Sequence, residues 1–337
     1  MIYINGRFLT KSISGVVRYG REIVKQFDIP TNQDKIAILV PKKSNINISF
    51  NFIKIIPIGL LKGNLWEQIS LFNFMKKHKN DKLLNLCNAS PLFVKGYTVV
   101  HDLTFLYKPR TYSLPFTIWY KFLIKKKINS DFITFTISQF CKNEILKTYN
   151  IDRNKVVIAS CGINEPVLDI DNSILKKYKL EGVPYYLFVG ANYPHKNIDL
   201  IFKLAKENPN KTFVLVTKGL EHEYMKNVAI INEHVSNKEL KALYKNADTL
   251  IQLSKYEGFG LPPLEAAING TKNLLLSDIP IFREIYGDGP NYVDIKKDVK
   301  LPILLPLPKN YITNLAKKYS WKKSADIILK TINENAK

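Results

Sequence analysis

The sequence predicts an α/β protein of two doubly wound domains, each a parallel sheet covered by helices on both faces. Three observations carry that prediction. Short apolar and β-branched runs alternate with amphipathic helical patterns along most of the chain. The alternation comes as two series, separated by CGINEPVLDIDNS (161–173), a weakly periodic stretch containing Gly and Pro. With 337 residues, 46% of them hydrophobic, the chain can fill two cores of ordinary size.

In the first series the expected strands are KIAILV (35–40), FIKIIPI (52–58), YTVVHD (97–102), DFITFTIS (131–138) and KVVIAS (155–160). Helical patterns lie between them, as in GVVRYGREIVKQF (15–27), LWEQISLFNFMKK (65–77) and SQFCKNEILKTY (138–149). The second series reads YYLFVG (185–190), KTFVLVT (211–217), VAIIN (228–232), DTLIQLS (248–254) and KNLLLS (272–277). One of its helices has a marked start, because Ser236 and Glu239 stand at capping-box spacing. The expected domains are residues 1–165 and 166–318, followed by a closing amphipathic helix, 319–337, returning toward the first. In open sheets of this kind ligands bind at the carboxyl ends of the strands, so two such domains would face each other across a cleft.

Charge is unevenly spread. Residues 1–165 hold 25 Lys and Arg against 10 Asp and Glu, which is +15 of the formal +21. That bias predicts an anionic partner for the first half: nucleic acid, a membrane surface or a phosphorylated substrate. Cys87, Cys141 and Cys161 are too few and too scattered for a disulfide framework or a metal site, which suits a reducing cytosol. MIYINGRFLT lacks the apolar core of a signal peptide, and no apolar run is long enough to span a bilayer, so membrane contact is expected to be peripheral.

The stretch with most chemistry is KYEGFGLPPLEAA (255–267), after the expected strand DTLIQLS. Gly258 and Gly260 would let loop N–H groups approach a ligand, while Pro262 or Pro263 suits a first helical turn. Glu257 before the loop and Glu265, expected in the first helical turn, could turn to one cleft and accept from vicinal hydroxyls of a sugar or ribose. The plainer reading makes Glu265 a complement to the helix dipole and Glu257 a solvated strand-end residue.

YEGFGLPPLEAAINGT, with its two glutamates, resembles the donor-binding motif of the retaining glycosyltransferases of family 4, which have the GT-B fold. Other segments resemble that family in the same order: SGVVRYGREI (14–23), VVHDLTFLYKP (99–109), TISQFCKNEI (136–145), VVIASCGIN (156–164), YLFVGANYPHKN (186–197) and YSWKKSADIIL (319–329). The resemblance implies that Glu257, with the backbone of Gly258, Phe259, Gly260 and Leu261, holds a donor sugar, and that Glu265 holds the ribose hydroxyls. It implies that Lys196 contacts the diphosphate beside His195, where its charge would stabilise the leaving group, and that Gly15 opens the first helix toward the same diphosphate. His101, at an expected strand end, would touch the reacting centre, and Asp102 would orient the acceptor or else bond to its own loop. Where many relatives carry an arginine near the lysine, this chain has Ala191, Asn192 and His195, so Arg18 or another cation is a candidate substitute or acceptor contact.

The implied donor is a UDP, GDP or dTDP sugar, with no cofactor and no metal. The acceptor would be a saccharide linked to a polyprenyl diphosphate in bacterial O-antigen or capsule synthesis, used at the cytoplasmic face of the inner membrane. LPFTIWYKFLIKKKIN (114–129) and LWEQISLFNFMKKHK (65–79) are basic amphipathic patterns that would lie on anionic lipid, or else pack on the sheet with their lysines in water. The alternative is a nucleic-acid- or membrane-binding protein of GT-B-like fold without transferase activity. A nucleic-acid reading would explain the charge, but it requires aromatic-basic modules that the sequence does not show, so no nucleic acid is expected.

Overall fold

The structure, a computed structural model, describes every residue except 47, 108–111, 164–168, 222 and 336–337. It divides into two compact units. The first takes in Met1–Leu106, Tyr112–Gly162 and the residues from Tyr319 onward, and the second is built on Ile163–Lys318. The boundary expected at residue 165 lies outside the described residues.

The first unit holds a seven-stranded sheet, parallel throughout: β1 Ile2–Asn5, β2 Ile36–Pro41, β3 Lys54–Ile58, β4 Lys82–Asn85, β5 Tyr97–Val99, β6 Ile133–Thr136 and β7 Val156–Ile158. Their order across the sheet is β3-β2-β1-β4-β5-β6-β7. The chain therefore winds outward from β1 to β3 and then crosses back, so its direction of winding reverses between β1 and β4. Those two central strands were not among the sequence expectations. Each is four residues long and largely buried on both faces, so neither shows the alternation that marks a half-exposed strand.

The crossing is made by a continuous helix over 63–77, whose middle, Trp66–Leu71, is wound as a π-helix. Trp66 and Leu71 pack there with Tyr3, Leu39 and Leu83 under the sheet. On the helix Leu114–Ser130 the lysines stand in water with one exception. Lys125 and Lys126 are exposed, but Lys127 is buried in an ion pair of 2.7 Å with Asp131. The same helix exposes Leu114, Ile118 and Phe122, so its apolar face is only partly used for packing. The C-terminal helix Trp321–Glu334 belongs to this unit. Its Trp321 ring lies edge-on to Tyr19 at 5.7 Å, and Ser324 donates to the Ser160 carbonyl at 2.6 Å. Gly162 makes this packing possible, because a Cβ there would stand 2.1 Å from the Trp321 nitrogen.

The second unit has a six-stranded parallel sheet: β8 Tyr185–Val189, β9 Thr212–Val216, β10 Val228–Ile231, β11 Thr249–Gln252, β12 Asn273–Ser277 and β13 Asn291–Val293. The order is β10-β9-β8-β11-β12-β13, so the winding reverses between β8 and β11. β13, three half-buried residues at the sheet edge, carries too little pattern to be anticipated. The Ser236 capping box forms as expected, with reciprocal bonds between Ser236 and Glu239 at 2.7 and 3.3 Å. Ile201, Phe213, Leu215, Ile251 and Leu275 form the centre of this unit's core.

Candidate functional site

In the second unit, the loops leaving β8 and β11 meet at the point where the winding reverses. That is the place where an open parallel sheet leaves a crevice at its carboxyl edge. Lys255 N donates to the His195 carbonyl at 2.7 Å, and Asn197 Nδ2 donates to the Leu253 carbonyl at 3.1 Å. Between these two ties, Lys196 Nζ pairs with Glu257 Oε1 at 2.7 Å. Ser254 Oγ donates to the same oxygen at 2.7 Å and Gln252 Nε2 at 3.2 Å. Three donors therefore converge on Oε1, while Oε2 has no hydrogen-bond partner among the described residues.

This arrangement overturns the plainer reading of Glu257 and shows Lys196 to be held. Glu257 is not a solvated strand-end residue, since its side chain is only 9% exposed, and Lys196, at 15%, is not a free loop lysine. Burial of the pair is tolerated because each charge is matched and hydrogen-bonded. Gln252 and Ser254 were not singled out from sequence. They could have been: two polar residues alternate at the end of an otherwise apolar strand, on the face from which Glu257 follows.

The loop after Glu257 is shaped by its own packing. Phe259 is buried, and Gly260 takes φ 87° as the residue preceding the helix Leu261–Ile268. A Cβ on Gly260 would come within 2.6 Å of the Phe282 ring, and its carbonyl accepts from the Tyr286 hydroxyl. Gly260 is thus required by backbone conformation and by the closeness of Phe282. Gly258 lies in the bend before it, and Leu261 opens the helix. Glu265 is the fifth helical residue and not in the first turn, which corrects the expected position and removes the helix-dipole explanation, because that effect fades beyond the first turn. Its Oε2 accepts from the Tyr244 hydroxyl at 3.0 Å.

The remaining candidates belong to the first unit. His101 is buried beyond the end of β5, edge-on to Tyr19 at 4.9 Å. Its Nε2 stands 2.8 Å from the Leu86 carbonyl, which can only accept, so Nε2 carries the proton and Nδ1 presents its lone pair. Burial pushes the imidazole below its ordinary pKa, against the opposing pull of that carbonyl and of Asp102. Asp102 bonds its own loop, accepting from Thr104 N at 2.9 Å. Gly15 opens the helix Gly15–Phe27 behind the cap Ser14, and Arg18 lies half-buried in its first turn. Among the described residues no cluster of His, Cys, Asp and Glu could hold a metal ion, and no helix is long and apolar enough to cross a membrane.

Comparison with known proteins agrees with this architecture. Residues 170–299, most of the second unit, match the family described as Glycosyl transferases group 1. Over 259 residues the chain is 29% identical to the O-antigen chain mannosyltransferase RfbU of Salmonella typhimurium, covering 70% of each protein. It is 24% identical to O-antigen chain mannosyltransferase B of Escherichia coli, covering 59% of this chain and 58% of that one. Among solved structures, Anabaena HepE in complex with UDP and glucose superposes with a TM-score of 0.68 at 13% identity, covering 98% of both chains. WaaG, a glycosyltransferase involved in lipopolysaccharide biosynthesis, does so at 0.64 and 15%, covering all of this chain and 94% of WaaG. The protein has the GT-B fold, two Rossmann-like units with sheets of seven and six strands. The match to the group 1 glycosyl transferases lies within its second unit.

Proposed function

We propose that the chain is a retaining, metal-independent hexosyltransferase. It moves a hexose or deoxyhexose from a nucleoside diphosphate sugar to a lipid-linked saccharide during assembly of a bacterial surface polysaccharide. The names of the relatives favour a mannosyl unit and an O-antigen. The observation that carries the reading is the buried Glu257, held through one oxygen by Lys196, Ser254 and Gln252 with the other oxygen left for a ligand.

In this reading Glu257 Oε2 and the backbone of Gly258, Phe259, Gly260 and Leu261 hold the donor sugar, and Glu265 with Tyr244 holds the ribose. Lys196, with His195 beside it, meets the diphosphate. As the bond between C1 and the diphosphate oxygen breaks, negative charge grows on the leaving group, and the Lys196 ammonium and the amides at the Gly15 helix start supply the compensation a metal would otherwise give. The acceptor hydroxyl attacks C1 from the face the diphosphate leaves, and its proton passes to the departing phosphate oxygen. Neutral His101, anchored through Nε2, offers Nδ1 as an acceptor to the sugar. Arg18 meets the acceptor, as does the second oxygen of Asp102, whose first oxygen is held by Thr104 N. Leu114, Ile118 and Phe122, flanked by exposed Lys121, Lys125 and Lys126, supply a peripheral contact with anionic lipid at the cytoplasmic face of the membrane.

A thermal-shift panel of UDP, GDP, dTDP, ADP and CMP without added metal tests this. One nucleoside diphosphate is expected to raise the melting temperature of the wild type, since a ligand of the folded state stabilises it by mass action. The effect is expected to shrink sharply in Glu265→Ala. Stabilisation by none of them would sink the proposal.

A further inference from the structure

The first unit carries a second built site where its own winding reverses, between the carboxyl ends of β1 and β4. Asn5 ends β1, Asn85 ends β4, and Glu67 comes from the π-wound turn of the helix that crosses between them. A shallow, roughly water-sized crevice opens there, bordered by Arg7, Lys11, Cys87 and Ala89. The sequence of the π turn, WEQISL, contains neither Pro nor Gly to force the irregular winding, and such turns are often found at functional positions. The winding brings Trp66, Glu67 and Leu71 together on the buried side. Gln68, between them, ties the turn to the loop after β4, through Ser90 O at 3.0 Å and Leu92 N at 2.9 Å.

The hydrogen bonds of this crevice decide which charge is on offer. Glu67 is buried and both of its oxygens are engaged: Oε1 accepts from Asn5 Nδ2 at 2.8 Å, and Oε2 pairs with Arg7 Nη1. Asn5 Oδ1 accepts from Arg7 N at 3.2 Å, so the Arg7 backbone and guanidinium are both held. What remains open is cationic. Arg7 Nε and Nη2 have no partner among the described residues, and Lys11, an exposed residue, forms no ion pair among them. Desolvation first, and then the neighbouring Arg7, push the Lys11 ammonium below its ordinary pKa, against the opposing pull of Glu67.

We infer that Arg7 and Lys11, positioned by Glu67 and Asn5 at the β1–β4 crevice, bind a phosphate or diphosphate group separate from the diphosphate met by Lys196. A planar guanidinium with two nitrogens still open, Nε and Nη2, beside an ammonium, suits the several oxygens of a phosphate better than the hydroxyls of a neutral sugar. Resting on the transferase reading, the group is the phosphate of the acceptor. The shared chemistry also admits free pyrophosphate.

Calorimetric titration of the full chain with geranyl diphosphate and with inorganic pyrophosphate tests the inference, using wild type, Lys11→Gln, Lys196→Gln and the double variant Arg7→Gln with Glu67→Gln. The double variant removes both charges together, so neither is left buried and unpaired. If it does not fold, Lys11→Gln decides alone, because Lys11 is exposed and forms no ion pair among the described residues. At least one of the two probes is expected to bind about tenfold more weakly to Lys11→Gln, which is about 1.4 kcal/mol. That binding is expected to survive Lys196→Gln. A tighter geranyl diphosphate complex identifies a lipid-linked source, and equal affinities identify the free anion. Affinities unchanged in the first-unit variants, or binding abolished by Lys196→Gln, would overturn the inference. Stabilisation by the nucleoside diphosphate is expected to be unaltered in Lys11→Gln, so loss of that signal in the wild type would count against the transferase reading and not against this site.

Discussion

The two units put a carboxylate and a cation at the same topological place, the reversal of winding, and use the pair in opposite senses. In the second unit Glu257 is the group on offer: Lys196, Ser254 and Gln252 all support one of its oxygens. In the first, Glu67 is the support: both its oxygens are spent on Asn5 and Arg7, and the open donors are those of the cation. An ion pair at a strand end thus says little about the ligand until each oxygen and each N–H has been accounted for. A carboxylate with one oxygen unspent suits hydroxyl donors, whereas a guanidinium with donors unspent suits an anion.

That contrast can be broken most forcefully at Glu67. Glu67→Ala leaves the Arg7 guanidinium largely buried without its partner, and is expected to cost about 3–5 kcal/mol in urea denaturation. Replacing both Arg7 and Glu67 by Gln is expected to recover most of that loss, and an equally large loss in the double variant would show that the pair is not what matters. In the second unit the corresponding change should fall on turnover more than on folding. Glu257→Gln keeps shape and removes charge, and is expected to lower the transfer rate about 10²–10³-fold in a donor-saturated assay. A variant that folds normally and retains full activity would remove Glu257 from the site.

Smaller effects sharpen the comparison. Gly260→Ala places a Cβ against Phe282 in a left-handed backbone conformation, and is expected to destabilise by about 1–3 kcal/mol. A thermal melt that does not move would mean that the loop re-forms around the methyl group. His101 in the first unit gives a pH signature. Its folded-state pKa lies below the unfolded value of about 6.5, so the unfolded chain takes up the proton more readily. Its contribution to stability is therefore complete above about pH 6.5 and is lost as pH falls toward the folded value, with a slope of at most about 1.4 kcal/mol per pH unit. Chemical denaturation of wild type and His101→Gln across pH 5 to 7.5 is expected to show that slope in the wild type alone.

Much of this was legible locally. Ten strands, the Ser236 capping box and the glutamate loop at 255–267 stand out from short-range pattern, because each depends on residues within a few positions of one another. What escaped had no such signal. β1 and β4 are too short and too buried to alternate, and β13 is an edge of three residues. Ser254 and Gln252 read as strand polarity until the carboxylate they support is seen. Lys127 looked like one more lysine of a basic run, but its partner four residues on is buried with it.

The sequence by itself determined the class of fold, the position of the glutamate loop and the basic bias of the first half. Periodicity, turn residues and net charge are properties of neighbours along the chain. Only the tertiary structure decided which charges meet. Lys196 reaches Glu257 across 61 residues and Arg7 reaches Glu67 across 60, and the closing helix returns to the first unit after the whole second unit has intervened. Such pairings follow from the order of strands in a sheet, and parallel strands become neighbours only through long crossovers that local pattern does not encode.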